Sequence, residues 1–178
     1  SVAASRLGYR CHIFEPGAEP PAGQVAHSVT TATYDDTDAL RAFGESVDVI
    51  TYEFENIPTA ALDVLQDTAP IYPGREALRI SQDRLTEKAF LQGLGLKTAP
   101  FADVTDVASL DTAIGNIGTP SILKTRRFGY DGKGQARIMS SADAASALSD
   151  MQGASAILEG FVDFSHEVSV IAARGLDG

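Results

Sequence analysis

The sequence predicts an α/β protein in two parts, a doubly wound half-domain followed by a small α+β unit that can act as a lid. Three observations predict it. Short apolar runs alternate with helical patterns through residues 1–75, the run Val47 to Tyr52 (VDVITY) reads as a strand buried on both faces, and beyond Pro73 two runs form a hairpin around a glycine-rich loop. Strands alternating with helices imply a parallel sheet with right-handed crossovers, in which ligands bind beyond the carboxyl ends of the strands.

Ser1 to Leu7 reads as the end of a helix stopped by Gly8, and Arg10 to Phe14 as the strand that follows it. No strand stands ahead of that helix, so the half-domain is expected to lack its first strand. Val25 to Thr31 is a candidate strand, Thr37 to Phe43 a helix closed by Gly44, Thr59 to Leu65 a helix opened by Pro58, and Ile71 with Tyr72 a last short strand. Residues 76–98 link the two parts. Within them Ser81 to Leu94 is an amphipathic helix that turns Leu85, Ala89 and Phe90 inward and keeps Arg84 and Lys88 on one exposed stripe.

Residues 99–163 form the lid unit. Thr105 or Asp106 caps a helix whose Val107, Leu110, Ile114 and Ile117 follow helical spacing, and Gly118 ends it. A strand around Lys124, a return strand from Ala136 to Met139, a helix from about Asp143 to Met151 capped by Ser140 or Ser141, and a strand from Ser155 to Leu158 complete the unit. In residues 164–178 Glu167, Ser169 and Ile171 alternate with Val168, Val170 and Ala172, the period of a strand with two unlike faces; the chain then ends after a turn signal and is expected to be truncated there too.

The chemistry concentrates in Pro120 to Gln135, PSILKTRRFGYDGKGQ. Lys124 interrupts an apolar strand, and a charge there calls for an anion. After it come Arg126 and Arg127, then Gly129, Gly132 and Gly134, whose backbone N–H groups can turn inward around phosphates. Lys133 is followed by Gly134, so this is not a Walker A loop, and the glycine spacing is not that of a dinucleotide-binding turn. A phosphate cradle and a glycine-rich hairpin turn with surface cations both fit the spacing. Glu53 and Glu55 follow the VDVITY strand two residues apart; they form an acid/base or metal pair, or a solvated strand end at which Asn56 sets up the turn before Pro58.

Composition excludes several classes. A chain of 178 residues with 44% hydrophobic and 21% charged residues is globular, and a net charge of −10 argues against non-specific nucleic-acid binding. The single cysteine, Cys11, provides no disulfide framework and suits a reducing compartment. With no run of membrane-spanning length and no signal peptide, a cytoplasmic protein is expected. His12, His27 and His166 lack ligand spacing, so no metal site is expected on them.

DVITYEFENIP, SQDRLTEKAFL, TAPF, ILKT, GYDGKGQ, ILEGFV and HEVSVIAARG, in that order, resemble the ATP-grasp enzymes, and within them the 5-(carboxyamino)imidazole ribonucleotide synthetases, over essentially the whole chain. The resemblance implies an ATP-grasp fold, residues 1–75 forming its pre-ATP-grasp half-domain and residues 164–178 the start of its central subdomain. It implies a ligase of purine biosynthesis: ATP phosphorylates bicarbonate, and the product carboxylates 5-aminoimidazole ribonucleotide. Carried over, Lys124 and the loop Gly129, Tyr130, Asp131, Gly132, Lys133, Gly134 and Gln135 hold ATP phosphates, with Arg84 a further nucleotide contact. The backbone of Glu159, Gly160, Phe161 and Val162 lines the adenine, and Glu167 takes the ribose hydroxyls. Tyr130, Asp131 and Lys133 contact the aminoimidazole ribonucleotide. No side-chain nucleophile is implied, Mg²⁺ is held by acidic residues downstream of Gly178, and the chain alone is expected to be inactive. A homodimer is also implied, on a surface the sequence does not locate. Another ATP-grasp ligase with a different acceptor, or a non-catalytic nucleotide-binding module, remains open.

Overall fold

The computed structural model describes residues 1–129 and 133–175. The chain divides into two compact units, Ser1–Phe90 and Leu91–Gly178.

In the first unit, helix α1 (Val2–Arg6) ends at Gly8, whose φ of +87° is the left-handed conformation that a glycine stop supplies. Strand β1 (His12–Phe14) pairs in parallel with β2 (Ser28–Thr30), His12 opposite Ser28. The sequence expects β2 to begin at Val25, but Pro21–Val25 coils into a 3-10 turn. Helix α2 (Thr37–Glu45) is capped by the Asp36 carboxylate, which accepts from the Ala39 N–H. It runs through Gly44 rather than ending there. Gly44 is needed for close approach: a Cβ at that position would lie 1.9 Å from Thr68 Oγ1 and 3.2 Å from Leu65 Cδ2. Helix α3 (Thr59–Leu65) starts after Pro58 as the sequence predicts.

The VDVITY strand is reduced to one parallel bridge, Ile50 with Ile71, and Val49 is 54% exposed. A strand persists only where neighbours pair with it, and the described residues pair this segment on one side. Leu40, Phe43, Ile50, Ala61, Leu62, Leu65, Ala69 and Leu78 form the core of the unit.

The helix expected over Ser81–Leu94 is α5 (Arg84–Gly93), and a further helix, α4 (Arg75–Ser81), which the sequence did not announce, precedes it. Asp83 separates them because its carboxylate accepts from the Leu85 and Thr86 N–H groups, which starts a new helix. No residue of α5 is buried and Phe90 is 46% exposed, so the expected inward face is not sealed.

The second unit is a four-stranded sheet in the order β3-β6-β4-β5, every neighbour antiparallel. Its strands are β3 (Phe101–Val104), β4 (Ser121–Thr125), β5 (Gln135–Ile138) and β6 (Ala156–Gly160). Helices α6 (Val107–Ile117) and α7 (Ala144–Asp150) pack on one face, where Val104, Leu110, Ala113, Leu123, Ile138, Ala147 and Leu158 make the core. Asp106 caps α6 through a reciprocal box with Ser109, and Ser140 with Asp143 does the same ahead of α7. Val107, expected inward, is 54% exposed because it stands in the first turn, outside the contact with the sheet.

From Phe161 to Gly175 no strand forms, and Val168, Val170 and Ile171 are 81%, 86% and 98% exposed. The alternating pattern there has no neighbouring strand to pair with among the described residues. No helix among the described residues is long and apolar enough to cross a membrane.

Candidate functional site: the helix-free face of the second sheet

Side chains alternate across a strand, so Ser121 and Leu123 of β4 turn into the core and Ile122 and Lys124 turn to the face that carries no helix. Strand β4 lies between β6 and β5, which places Lys124 in the interior of the sheet. Register puts Lys124 beside Ile157 of β6, with Glu159 two residues further along on the same face. There Lys124 Nζ donates to Glu159 Oε2 at 3.0 Å, with side-chain exposures of 22% and 9%. A buried carboxylate needs a cation, and the lysine supplies one across the strand boundary. The expectation that Lys124 needs an anion is thus met inside the fold by Glu159, a residue the sequence reading assigned to the adenine.

A second ion pair lies on the same face. Arg126 Nη1 donates to Asp103 Oδ1 at 3.2 Å, Asp103 standing on β3 directly across β6 from Lys124. Asp103 went unnoticed in the sequence because β3 itself did; TAPFADV has no alternation that distinguishes it from a loop. Beyond β4 the chain enters the glycine loop. Thr125 N–H donates to the Gly134 carbonyl at 2.8 Å, and Gly134 has a φ of +65°. A Cβ there would lie 2.6 Å from Thr125 Oγ1, so conformation and space both require glycine. Phe128 also has a left-handed φ, 62°, under a cation–π contact with Arg127 at 5.3 Å. Gly129 is half-buried, Lys133 and Gln135 are exposed, and Tyr130, Asp131 and Gly132 lie outside the described residues.

The adenine-lining segment begins inside β6 rather than after it. Gly160 N–H donates to the Pro100 carbonyl at 2.8 Å and Phe161 N–H to that of Pro120 at 3.2 Å, so neither amide is offered to a base. Val162 and Glu167 are exposed, in a segment without regular structure.

In the first unit Arg84 opens α5. An apolar cleft of about 240 Å³ there is lined by β1, Ile50 to Phe54 and the inner faces of α2 and α3. Glu53 stands on its wall. Glu55 is joined through its carbonyl to Gln82: the buried Gln82 amide donates to the carbonyls of Glu55 and Ile57 and pins the turn. Gln82 is therefore a positioning residue that sequence reading missed, since a polar residue between two helices carries no signal of burial. Among the described residues no group of three or more His, Cys, Asp or Glu side chains could hold a metal ion.

Comparison with known proteins gives the family. The ATP-grasp domain family matches residues 89–178, and the ribonucleotide synthetase preATP-grasp domain family matches residues 1–82. The chain is 51% identical to N5-carboxyaminoimidazole ribonucleotide synthase of Brucella melitensis over 100% of its own length and 50% of the relative's. It is 40% identical to the Pseudomonas aeruginosa protein of the same name, again over 100% of this chain and 49% of the relative. The crystal structure of N5-carboxyaminoimidazole synthetase from Staphylococcus aureus complexed with ADP superposes with a TM-score of 0.85 at 38% identity, covering 91% of this chain and 43% of that one. The chain spans about half the length of the curated relatives it matches.

Proposed function

The chain belongs to the ATP-grasp family, and we propose that it is the nucleotide-binding part of a ligase that carboxylates 5-aminoimidazole ribonucleotide with bicarbonate at the expense of ATP. The observation that carries the reading is the lysine of a central strand, on the helix-free face, beside a loop whose Gly134 is fixed by φ and by contact. ATP phosphates take up Lys124 and the N–H groups of the loop Gly129 to Gln135, together with Lys133. Arg84 is a further nucleotide contact. When phosphate arrives, Lys124 exchanges Glu159 for it, and Glu159 remains as the wall of the adenine pocket. With the Gly160 and Phe161 amides committed to the fold, Val162 reads the base. Glu167 takes the ribose hydroxyls, as a double acceptor can.

The chemistry needs no side-chain nucleophile. Bicarbonate oxygen attacks the γ-phosphorus, the bond to the β-phosphate oxygen breaks, and the substrate amine then attacks the carboxyl carbon, with phosphate leaving and the amine proton going to solvent. Positioning and charge stabilisation in a site closed to water by the loop supply the catalysis. Mg²⁺ would add charge to the phosphates when bound. Among the described residues no group of three or more His, Cys, Asp or Glu side chains could hold that metal, and we propose that its ligands lie downstream of Gly178. The bicarbonate substrate, a homodimer and a cytoplasmic location belong to the same reading.

The first unit fits the substrate side. Strand β1 is paired on one side, Ile50 is bridged on the other, and the apolar cleft touches both, which suits an extended segment completing the sheet as its first strand.

A chain extended to the length of its relatives tests the assignment. It is expected to release phosphate only when ATP, bicarbonate and 5-aminoimidazole ribonucleotide are all present, and Asp131→Asn is expected to raise KM for the ribonucleotide or lower kcat while leaving KM for ATP nearly unchanged. A raised KM for ATP with that of the ribonucleotide unmoved would favour an ATP-grasp ligase with another acceptor.

A further inference from the structure

We propose that helix α4 is a strut that positions residues 53–56 for the acceptor, through Gln82 at its carboxyl end and Tyr52 at its amino end. The proposal rests on the acceptor reading of the first unit and adds to it two positioning residues.

Residues 53–56 follow the parallel bridge of Ile50 with Ile71, on the carboxyl side, where parallel sheets bind their ligands. They carry the Glu53 and Glu55 carboxylates and the Asn56 amide, acceptors for the hydroxyl and amine donors of a ribonucleotide. No ladder holds them. None of the four lies in a helix or a strand, and Glu53, Phe54 and Glu55 are exposed. A segment of that kind opens easily unless bonds from elsewhere in the fold fix it.

Helix α4 supplies those bonds. Leu78 in its middle is 1% exposed in the core of the unit, and the Arg75 guanidinium in its first turn donates to both carboxylate oxygens of Asp63 on α3, so the helix is anchored independently of residues 53–56. At its carboxyl end Gln82 is 7% exposed, and its amide nitrogen donates to the Glu55 carbonyl at 2.7 Å and to the Ile57 carbonyl. Two carbonyls facing one amide settle its orientation: the nitrogen lies toward them, with one N–H for each. At the amino end the Tyr52 hydroxyl donates to the carbonyl of Gly74, the residue ahead of α4, at 3.3 Å, a longer and weaker bond. Residues 53–56 are thus held on both flanks by the two ends of one short helix. The start of α5 has a cap of its own, because Asp83 accepts from the Leu85 and Thr86 N–H groups, so Arg84 does not depend on these contacts for its place.

That independence separates the two substrates, and steady-state kinetics on the chain extended to the length of its relatives reads the separation. Gln82→Met keeps the length of the side chain and removes both donors. It is expected to raise KM for 5-aminoimidazole ribonucleotide about ten-fold, the scale of two lost neutral hydrogen bonds, with KM for ATP within about two-fold of the parent. Tyr52→Phe removes only the weaker anchor and is expected to raise the same KM about two-fold; it decides by the same split should Gln82→Met not fold. A rise in KM for ATP that matches the rise for the ribonucleotide, or a lowered melting midpoint with both KM values unmoved, would overturn the strut and leave the acceptor reading standing. A parent chain that turns over no 5-aminoimidazole ribonucleotide would overturn the acceptor reading and this inference with it.

Discussion

Replacing Lys124 by Met keeps the length of the side chain and removes the cation that lies 3.0 Å from Glu159. The sequence alone suggests a change confined to ligand binding, with the fold intact. The structure adds a cost in stability. Exposed ion pairs are worth about 0–1 kcal/mol, whereas deleting one partner of a buried pair costs about 3–5 kcal/mol. The Glu159 side chain is 9% exposed and that of Lys124 22%, which puts the pair near the buried case with some relief from solvent at the lysine. The expected cost is at the low end, about 3 kcal/mol. Amide hydrogen exchange at Leu123 and Leu158, both fully buried in the central strands, reads the opening of this unit by itself. At about 1.4 kcal/mol per ten-fold, their protection should fall by about two orders of magnitude. Glu159→Gln in the same background removes the carboxylate charge that Lys124 balanced, so the double variant should recover much of that loss. Protection within about three-fold of the parent, or costs that simply add in the double variant, would refute the reasoning.

Gly44→Ala should lower the melting midpoint of the first unit, because the new Cβ meets Thr68 Oγ1 at 1.9 Å and overpacking of about 1–3 kcal/mol outweighs the gain in helix propensity; a raised midpoint contradicts it. His12 lies between Ser46 Oγ and Thr30 Oγ1, and burial, helped by the charge of His27, holds its pKa below the ordinary value. The folded state therefore binds this proton more weakly than the unfolded one, so stability is full above about pH 6.5 and falls as pH drops below it toward the folded-state pKa. Denaturation midpoints at neutral and acid pH should show that fall, and His12→Gln should flatten it; a midpoint that rises on acidification contradicts the sign. Gly134→Ala, at a φ of +65° and 2.6 Å from Thr125 Oγ1, should speed exchange of the Thr125 amide that donates to the Gly134 carbonyl, and no change there would mean that the hairpin absorbs a side chain.

Elements whose signals are local could be read from residues alone. Gly8 and Gly118 end helices with φ of +87° each, Asp106 caps α6, Pro58 precedes α3, and the Lys124 strand returns through a glycine loop as expected. What failed depended on neighbours. VDVITY and the alternating segment from Glu167 carry strand patterns, yet a strand also needs an edge to pair with, and no residue pattern announces one. Gly44 reads as a stop in one dimension and is a contact point in three, because Thr68 is remote in sequence. Lys124 was legible as a misplaced charge in an apolar strand. Its partner became visible only with the register of β4 on β6, and Asp103 and Gln82 only with strands and turns that the sequence does not mark.

The central claim is that the helix-free face of the second sheet is where ATP lies. A crystal structure of the chain extended to the length of its relatives, grown with a non-hydrolysable ATP analogue, tests it most directly. The account predicts phosphate oxygens within hydrogen-bonding distance of Lys124 Nζ and of the glycine-loop amides, and the base against β6 and Val162. An analogue seated elsewhere, such as the apolar cleft of the first unit, with Lys124 still bonded to Glu159, would contradict it.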